Sequence, residues 1–164
     1  MAFVEFEKAF HRVDRKLLLY KLRRDGFGDK MCDVIETLYT NCKASVNVNG
    51  YLTDLFQSEY GVLQGDTLSP TLFGLYINDL AIQLNQCNNG VMTGDRKVNC
   101  LLYADDLALI ADSEENLQKL LEVLHNWCKQ WRMRININKT KIVHFRVKSQ
   151  DRTMFEFTYL GGAI

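Results

Sequence analysis

Tyr103-Ala104-Asp105-Asp106-Leu107-Ala108-Leu109-Ile110 sets two adjacent carboxylates between two short apolar runs, residues 98–103 and 107–110. The break falls at Asp-Asp and no helical period fits, so the stretch predicts strand, tight turn, strand. Neighbouring anions repel, and a fold that holds them together at a hairpin tip has a use for a cation there. Hard divalent ions such as Mg²⁺ take oxygen from one or two carboxylates plus substrate phosphates, and in pairs they drive phosphoryl transfer. An acidic turn in plain solvent would contain the same two residues. The rest of the chain has to decide between these readings.

Working outward, the chain has 164 residues and is 47% hydrophobic, which suits one domain with a real core. No run approaches the ~18–20 apolar residues of a membrane span, and the N-terminus lacks the layout of a signal peptide. Five cysteines (Cys32, Cys42, Cys87, Cys100, Cys128) are odd in number and include no CxxC pair. They read as reduced, mostly core thiols of a nuclear or cytoplasmic protein that is not secreted. Net charge is zero, but it is unevenly spread. Acidic residues dominate up to residue 128. Lys129, Arg132, Arg134, Lys139, Lys141, Arg146, Lys148 and Arg152 then follow, with only Asp151 opposing them. An acidic region beside a basic one suits a metal site next to a phosphate track; an ordinary solvated face has the same composition.

The apolar pattern predicts a strand over residues 2–6, then a helix capped by Asp14 with Leu18, Leu19 and Leu22 inward and Gly26 at its exit. Met31, Val34, Ile35 and Leu38 give a second helix its face. Asn49-Gly50 predicts a hairpin turn. Ser69-Pro70 reads as N-cap and first residue of a helix that turns Leu72, Phe73, Tyr76, Ile77, Leu80 and Leu84 inward. Residues 86–96 read as a polar loop. Asp112 or Ser113 caps a long helix with Leu117, Leu120, Leu121, Leu124 and Cys128 buried. Strand-like segments follow at 134–137, 141–147 and 155–159. The class is α+β, an antiparallel sheet with helices packed on one face.

The Asp-Asp hairpin follows Gly61-Val62-Leu63-Gln64-Gly65-Asp66-Thr67-Leu68-Ser69-Pro70 in the chain. Together the two segments resemble the palm domain of reverse transcriptases, most closely those of non-LTR retrotransposons. Phe6-Glu7-Lys8-Ala9-Phe10, Asn138-Lys139-Thr140-Lys141 and Tyr159-Leu160-Gly161-Gly162 extend the likeness over nearly all of residues 1–164, read as a single palm domain without fingers or thumb. The resemblance implies an RNA-directed DNA polymerase that uses two Mg²⁺ ions, with Mn²⁺ as a substitute. Its partners would be an RNA template, a DNA primer and deoxynucleoside triphosphates, with no membrane involved.

By the same resemblance, Asp105 and Asp106 match metal-binding catalytic carboxylates, and Glu5 stands where the first strand carries their partner. Phe10 matches the ring beneath the sugar that excludes a 2′-hydroxyl. Gln64 and Gly65 match the loop at template and nucleotide, Lys139 or Lys141 a late lysine at the phosphates, and Tyr159, Leu160 and Gly161 a primer-contacting turn. The chain departs from the family pattern Asp-Phe-x-Lys-Ala-Phe-Asp at both ends, with Glu5 and His11 in place of aspartates. Glu is one methylene longer, and Mg²⁺ demands near-ideal octahedral geometry. Glu5 is therefore either a weakened ligand or none, His11 is local packing or drift, and the isolated chain is expected to be impaired or inactive. A non-enzymatic relic that keeps the fold and binds nucleic acid is the alternative. A palm-fold cyclase is a poorer match, having no use for a template loop.

Overall fold

The computed structural model describes residues 1–146, 151 and 153–163. In chain order the elements are β1 (Ala2–Glu5), α1 (Ala9–Arg12), α2 (Arg15–Arg24), α3 (Asp29–Thr40), β2 (Lys43–Ala44), β3 (Asn47–Val48), β4 (Tyr51–Leu52), β5 (Phe56–Gln57) and α4 (Ser69–Gln86). They continue with β6 (Val91–Thr93), β7 (Arg96–Val98), β8 (Cys100–Tyr103), β9 (Asp106–Leu109), α5 (Glu114–Gln130), β10 (Lys141–Ile142), β11 (Thr158–Tyr159) and β12 (Gly162–Ala163). Contacts divide the chain into two compact units, residues 1–9 with 77–164, and residues 10–76.

The first unit is built on a four-stranded sheet in the order β10-β1-β9-β8, with every neighbouring pair antiparallel. Its strands alternate as the period of two requires. Ala2, Val4, Leu107 and Leu109 are buried on one face, while Phe3, Leu101 and Tyr103 are exposed on the other. The buried face meets α5, whose residues Leu117, Leu120, Leu121, Leu124, Trp127 and Cys128 are all buried. That spacing is one helix face, and each fully buried Leu is worth ~1.5–3 kcal/mol. The Trp127 ring meets Phe6 edge-on at 6.4 Å, and its indole N–H donates to Asp79 Oδ1 at 2.8 Å. Ser113 is the cap of α5, its hydroxyl accepting from Asn116 N at 3.2 Å. Asp112 is instead engaged by the Asn116 side-chain amide at 2.7 Å, which holds its carboxyl below the usual range. The expected architecture, helices on one face of an antiparallel sheet, is what this unit displays.

Some expectations need correction. The supposed loop at 86–96 contains most of the β6–β7 hairpin, turned at Gly94 with φ of +59°. Residues 134–137 form no strand; Ile135 makes an isolated bridge to Phe6, flanked by Glu7 N on the Arg134 carbonyl at 2.9 Å and Asn136 N on the Glu5 carbonyl at 2.7 Å, before the chain turns at residues 137–139. The strand expected at 141–147 is two residues long, and Val147 lies outside the described residues. Lys148 and Arg152 of the basic segment also lie outside them. Of the five free cysteines only Cys32 and Cys128 are buried.

In the second unit Asp14 caps α2, its Oδ1 accepting from Lys16 N at 3.0 Å and Leu17 N at 3.1 Å. Leu18, Leu19 and Leu22 are buried as expected, and Lys21 is buried with them, its ammonium donating to the Tyr76 carbonyl. α3 turns Cys32, Ile35 and Tyr39 inward rather than the expected stripe: Met31, Val34 and Leu38 are exposed. The apolar residues of α3 span too much of its circumference for periodicity alone to fix the buried edge. The β3–β4 hairpin forms at Asn49-Gly50, both with positive φ (+53° and +90°), as its two-residue turn requires. α4 starts at Ser69, one residue before the expected first helical residue, and Leu72, Phe73, Tyr76, Ile77, Leu80 and Leu84 are all buried. No helix among the described residues is long and apolar enough to cross a membrane.

Candidate active site

The hairpin at Asp105-Asp106 is set by register. Tyr103 pairs with Asp106 across β8 and β9, leaving Ala104 and Asp105 as the two turn residues. Ala104 carries positive φ (+51°), which a two-residue hairpin demands of at least one central position. On the other side of β9, Asp106 pairs with Glu5 of β1. Residues directly opposite in an antiparallel ladder share a face, with Cβ atoms ~4.5–5.5 Å apart. Tyr103, Asp106 and Glu5 thus form one row across the open face of the sheet, at the end where the hairpin turns. A groove of about 540 Å³ runs along this face, bordered by Phe3, Glu5, Leu101, Tyr103, Asp106 and Lys139.

The Glu5 carboxylate is not free. Lys139 Nζ lies 2.6 Å from Glu5 Oε1, a direct ion pair with both side chains partly exposed. Lys139 belongs to a turn fastened to the same residue: Asn136 N donates to the Glu5 carbonyl at 2.7 Å, and Thr140 N donates to the Asn136 carbonyl at 2.8 Å. Lys141 lies farther along, on β10 near Phe3, with its ammonium on the Asn138 carbonyl at 2.8 Å. The two lysines, indistinguishable by motif, are separated by the fold; Lys139 is the one at the carboxylates. Neither this pairing nor the Asn136 anchor has a sequence signal, since both join residues far apart in the chain.

The structure therefore gathers Glu5, Asp106 and Lys139, with Asp105 in the adjoining turn. As a donor set, carboxylate oxygens are right in kind for a hard divalent cation. Among the described residues, however, no three His, Cys, Asp or Glu groups are arranged to hold a metal ion. One of the three expected ligands is occupied by an ammonium.

At the far end of the chain, β11 and β12 form a hairpin whose turn, Leu160-Gly161, has positive φ at both positions (+57° and +77°). Tyr159 is buried, its ring edge-on to His125 at 5.3 Å, and burial raises its hydroxyl pKa. It anchors the hairpin, and Leu160 and Gly161 are the exposed part.

Within the second unit, Phe10 stacks on Phe73 of α4 with ring centroids 4.6 Å apart and an interplanar angle of 17°. Its carbonyl accepts from Val62 N at 2.9 Å, and Gly61 N donates to the Val13 carbonyl at 2.8 Å. The segment leading to Gln64 and Gly65 is thereby stitched to the residues around Phe10. Arg15 fixes the same segment: its guanidinium donates to the carbonyls of Gly61 (2.8 Å), Tyr60 (3.1 Å), Tyr39 (3.1 Å) and Ser58, and stacks over the Tyr39 ring. The motif reading missed Arg15, whose partners lie far along the chain. Gln64 and Gly65 themselves are exposed, and Gly65 has φ of +86°.

An antiparallel sheet covered by helices on one face, with a carboxylate-bearing hairpin at one end, defines an α+β polymerase palm. Over residues 1–164 the chain matches the family described as reverse transcriptase (RNA-dependent DNA polymerase), and it belongs to that family. It is 31% identical over 137 residues to a retrovirus-related Pol polyprotein from the type-1 retrotransposable element R2 of Popillia japonica, covering 83% of this chain and 23% of that protein. It is 34% identical over 121 residues to the R2 polyprotein of Nasonia vitripennis (74% and 12% covered). It is 29% identical over 150 residues to the RNA-directed DNA polymerase from mobile element jockey of Drosophila melanogaster (88% and 16% covered). These likenesses group it with reverse transcriptases of the non-LTR type, as its motifs imply. The chain spans less than a quarter of each of these relatives. In fold it is similar to an apo telomerase from Candida tropicalis truncated from its C-terminal domain, with a TM-score of 0.65 at 17% identity, covering 94% of this chain and 32% of that one.

Proposed function

We propose that this chain is the catalytic palm of an RNA-directed DNA polymerase acting on an RNA template, a DNA primer and deoxynucleoside triphosphates, in the nucleus or cytoplasm. The observation that carries the reading is the register that sets Glu5 opposite Asp106, with Asp105 in the adjoining turn. These three carboxylates would hold divalent ions, Mg²⁺ with Mn²⁺ as a substitute. When bound, such ions supply activation of the attacking hydroxyl and neutralisation of charge on the transferring phosphate. The remaining work falls to the chain's own groups. Phe10, held flat on Phe73, presents a rigid edge against a 2′-hydroxyl. The Gln64-Gly65 loop, braced by Arg15, allows close backbone approach to template and nucleotide. Leu160-Gly161 offers a turn for the primer strand, and Lys139 and Lys141 supply positive charge for phosphates.

A second reading, a chain that keeps the fold and binds nucleic acid without catalysis, draws on Glu5, His11 and the ion pair at Glu5. Primer extension on an RNA template separates the two. The test inserts residues 1–164 in place of the matching region of an active R2-type relative, with and without Glu5→Asp and His11→Asp. The doubly reverted chimera extends the primer in Mg²⁺, the unreverted one only weakly and in Mn²⁺, and the 164-residue chain alone not measurably. Asp105→Asn in the active chimera lowers the rate by at least about 10²-fold, as loss of a group that stabilises transition-state charge does. Undiminished extension by that variant overturns the assignment.

A further inference from the structure

We propose that Lys139 is an internal counter-ion of the carboxylate row, occupying Glu5 in the resting chain so that a divalent cation must displace its ammonium to recruit that ligand. The inference rests on the assignment of Glu5, Asp105 and Asp106 as metal ligands, and it adds a competitor that lies within the chain itself.

Three observations carry it. The Nζ–Oε1 distance of 2.6 Å is a direct contact, without room for an intervening water or ion. The backbone delivers this lysine to its partner: the Asn136 amide is hung from the Glu5 carbonyl at 2.7 Å, the Lys139 amide closes the turn on the Asn136 carbonyl at 3.2 Å, and β10 begins two residues later against Phe3. The backbone is already in place, so only the rotors of the two side chains are left to order when the pair forms. Glu5 also has the reach. An aspartate would withdraw its carboxylate by about one C–C bond, ~1.5 Å, and the contact would open. The substitution that weakens Glu5 as an octahedral ligand is thus the one that lets it meet Lys139. Asp106, directly across the ladder, leaves excess negative charge that keeps the ammonium in place.

The competition makes a measurable difference without any catalysis. Binding of Mn²⁺ to the purified chain is followed by the loss of the free-ion paramagnetic resonance signal, at fixed pH and ionic strength. Partly exposed ion pairs are worth up to ~1 kcal/mol, so Lys139→Gln tightens Mn²⁺ binding by about three- to fivefold. Lys139→Arg, which keeps the charge and the reach, stays within about twofold of the native chain, as does Arg134→Gln, an exposed cation removed elsewhere in the same unit. Lys139 is itself exposed, so its replacement leaves the core intact, and circular dichroism melts verify this. Adding Asp105→Asn to Lys139→Gln abolishes the gain. If Lys139→Gln binds no tighter than native while Asp105→Asn still weakens binding, the counter-ion is refuted and the metal site survives. Equal tightening by Arg134→Gln refutes it too, because net charge then explains the effect. If Asp105→Asn changes nothing, or no variant binds Mn²⁺, the metal site itself is refuted, and the competition with it.

Discussion

At Gly61 a single hydrogen atom is what the packing permits. A Cβ there would lie 2.8 Å from the His11 Cα and 3.0 Å from the Phe10 and His11 carbonyl oxygens, and φ is +83°. The neighbours are backbone and cannot rotate away. Gly61→Ala should therefore cost at least about 2 kcal/mol, the left-handed penalty adding to the clash, seen as a lower urea midpoint at unchanged slope. Cys128 makes a second residue-scale point. Burial pushes its thiol up to about 12, well above the ordinary value near 9. A group whose folded pKa is raised stabilises the fold fully below its unfolded value and loses that contribution as pH rises through the folded one. Between about pH 9 and 12 the unfolded chain releases this proton while the native chain keeps it, so stability falls by up to ~1.4 kcal/mol per pH unit. Thermal melts from about pH 8 to 11 should decline more steeply for the native chain than for Cys128→Ala.

Among the elements, the end of α4 depends on a residue from a later segment. Asn99 is buried and donates its side-chain amide to the carbonyl of Leu84, which also accepts from Cys87 N at 3.1 Å, and to the carbonyl of Cys87 just beyond the helix end. Asn99→Leu keeps the volume and removes both donors, so it should destabilise by at least about 2 kcal/mol in denaturant melts. A loss under about 0.5 kcal/mol would mean that water replaces the amide there. Elements with a strong local signal were legible in advance: α2 behind its Asp14 cap, α5 behind Asp112 or Ser113 (the cap is Ser113), the hairpin at Asn49-Gly50, and the β8–β9 hairpin, whose turn falls on Ala104-Asp105, one residue before the expected Asp-Asp break. The shortness of β10, the β6–β7 hairpin and the inward edge of α3 were not. Two- and three-residue strands have no period to detect, and the apolar face of α3 is wider than the edge that is covered, so neighbours choose which of its residues are buried.

For the molecule as a whole, the uneven charge of the sequence becomes a set of exposed cations, with Lys129, Arg132, Arg134, Lys139, Lys141 and Arg146 all open to solvent. If these follow a phosphate backbone, affinity for single-stranded RNA falls linearly with salt on a log–log plot, by a slope of ~0.7 for each phosphate neutralised. Reversing Lys139 and Lys141 to Glu should weaken binding and flatten that slope by about 1.4. Filter binding across a range of salt measures both, and an unchanged slope would assign the segment to an ordinary solvated face.

The sequence by itself determined the family, the α+β class, the long helices with their buried stripes, and a hairpin that bears Asp105 and Asp106. All of these are written in local patterns: a period, a cap, a tetrapeptide. Only the tertiary structure decided that Glu5 faces Asp106, that Lys139 rather than Lys141 stands at the carboxylates, and that Arg15 braces the loop before Gln64. Each of those relations joins residues far apart along the chain. Their partners are chosen by strand register and by the paths of intervening turns, and no run of neighbouring residues encodes either.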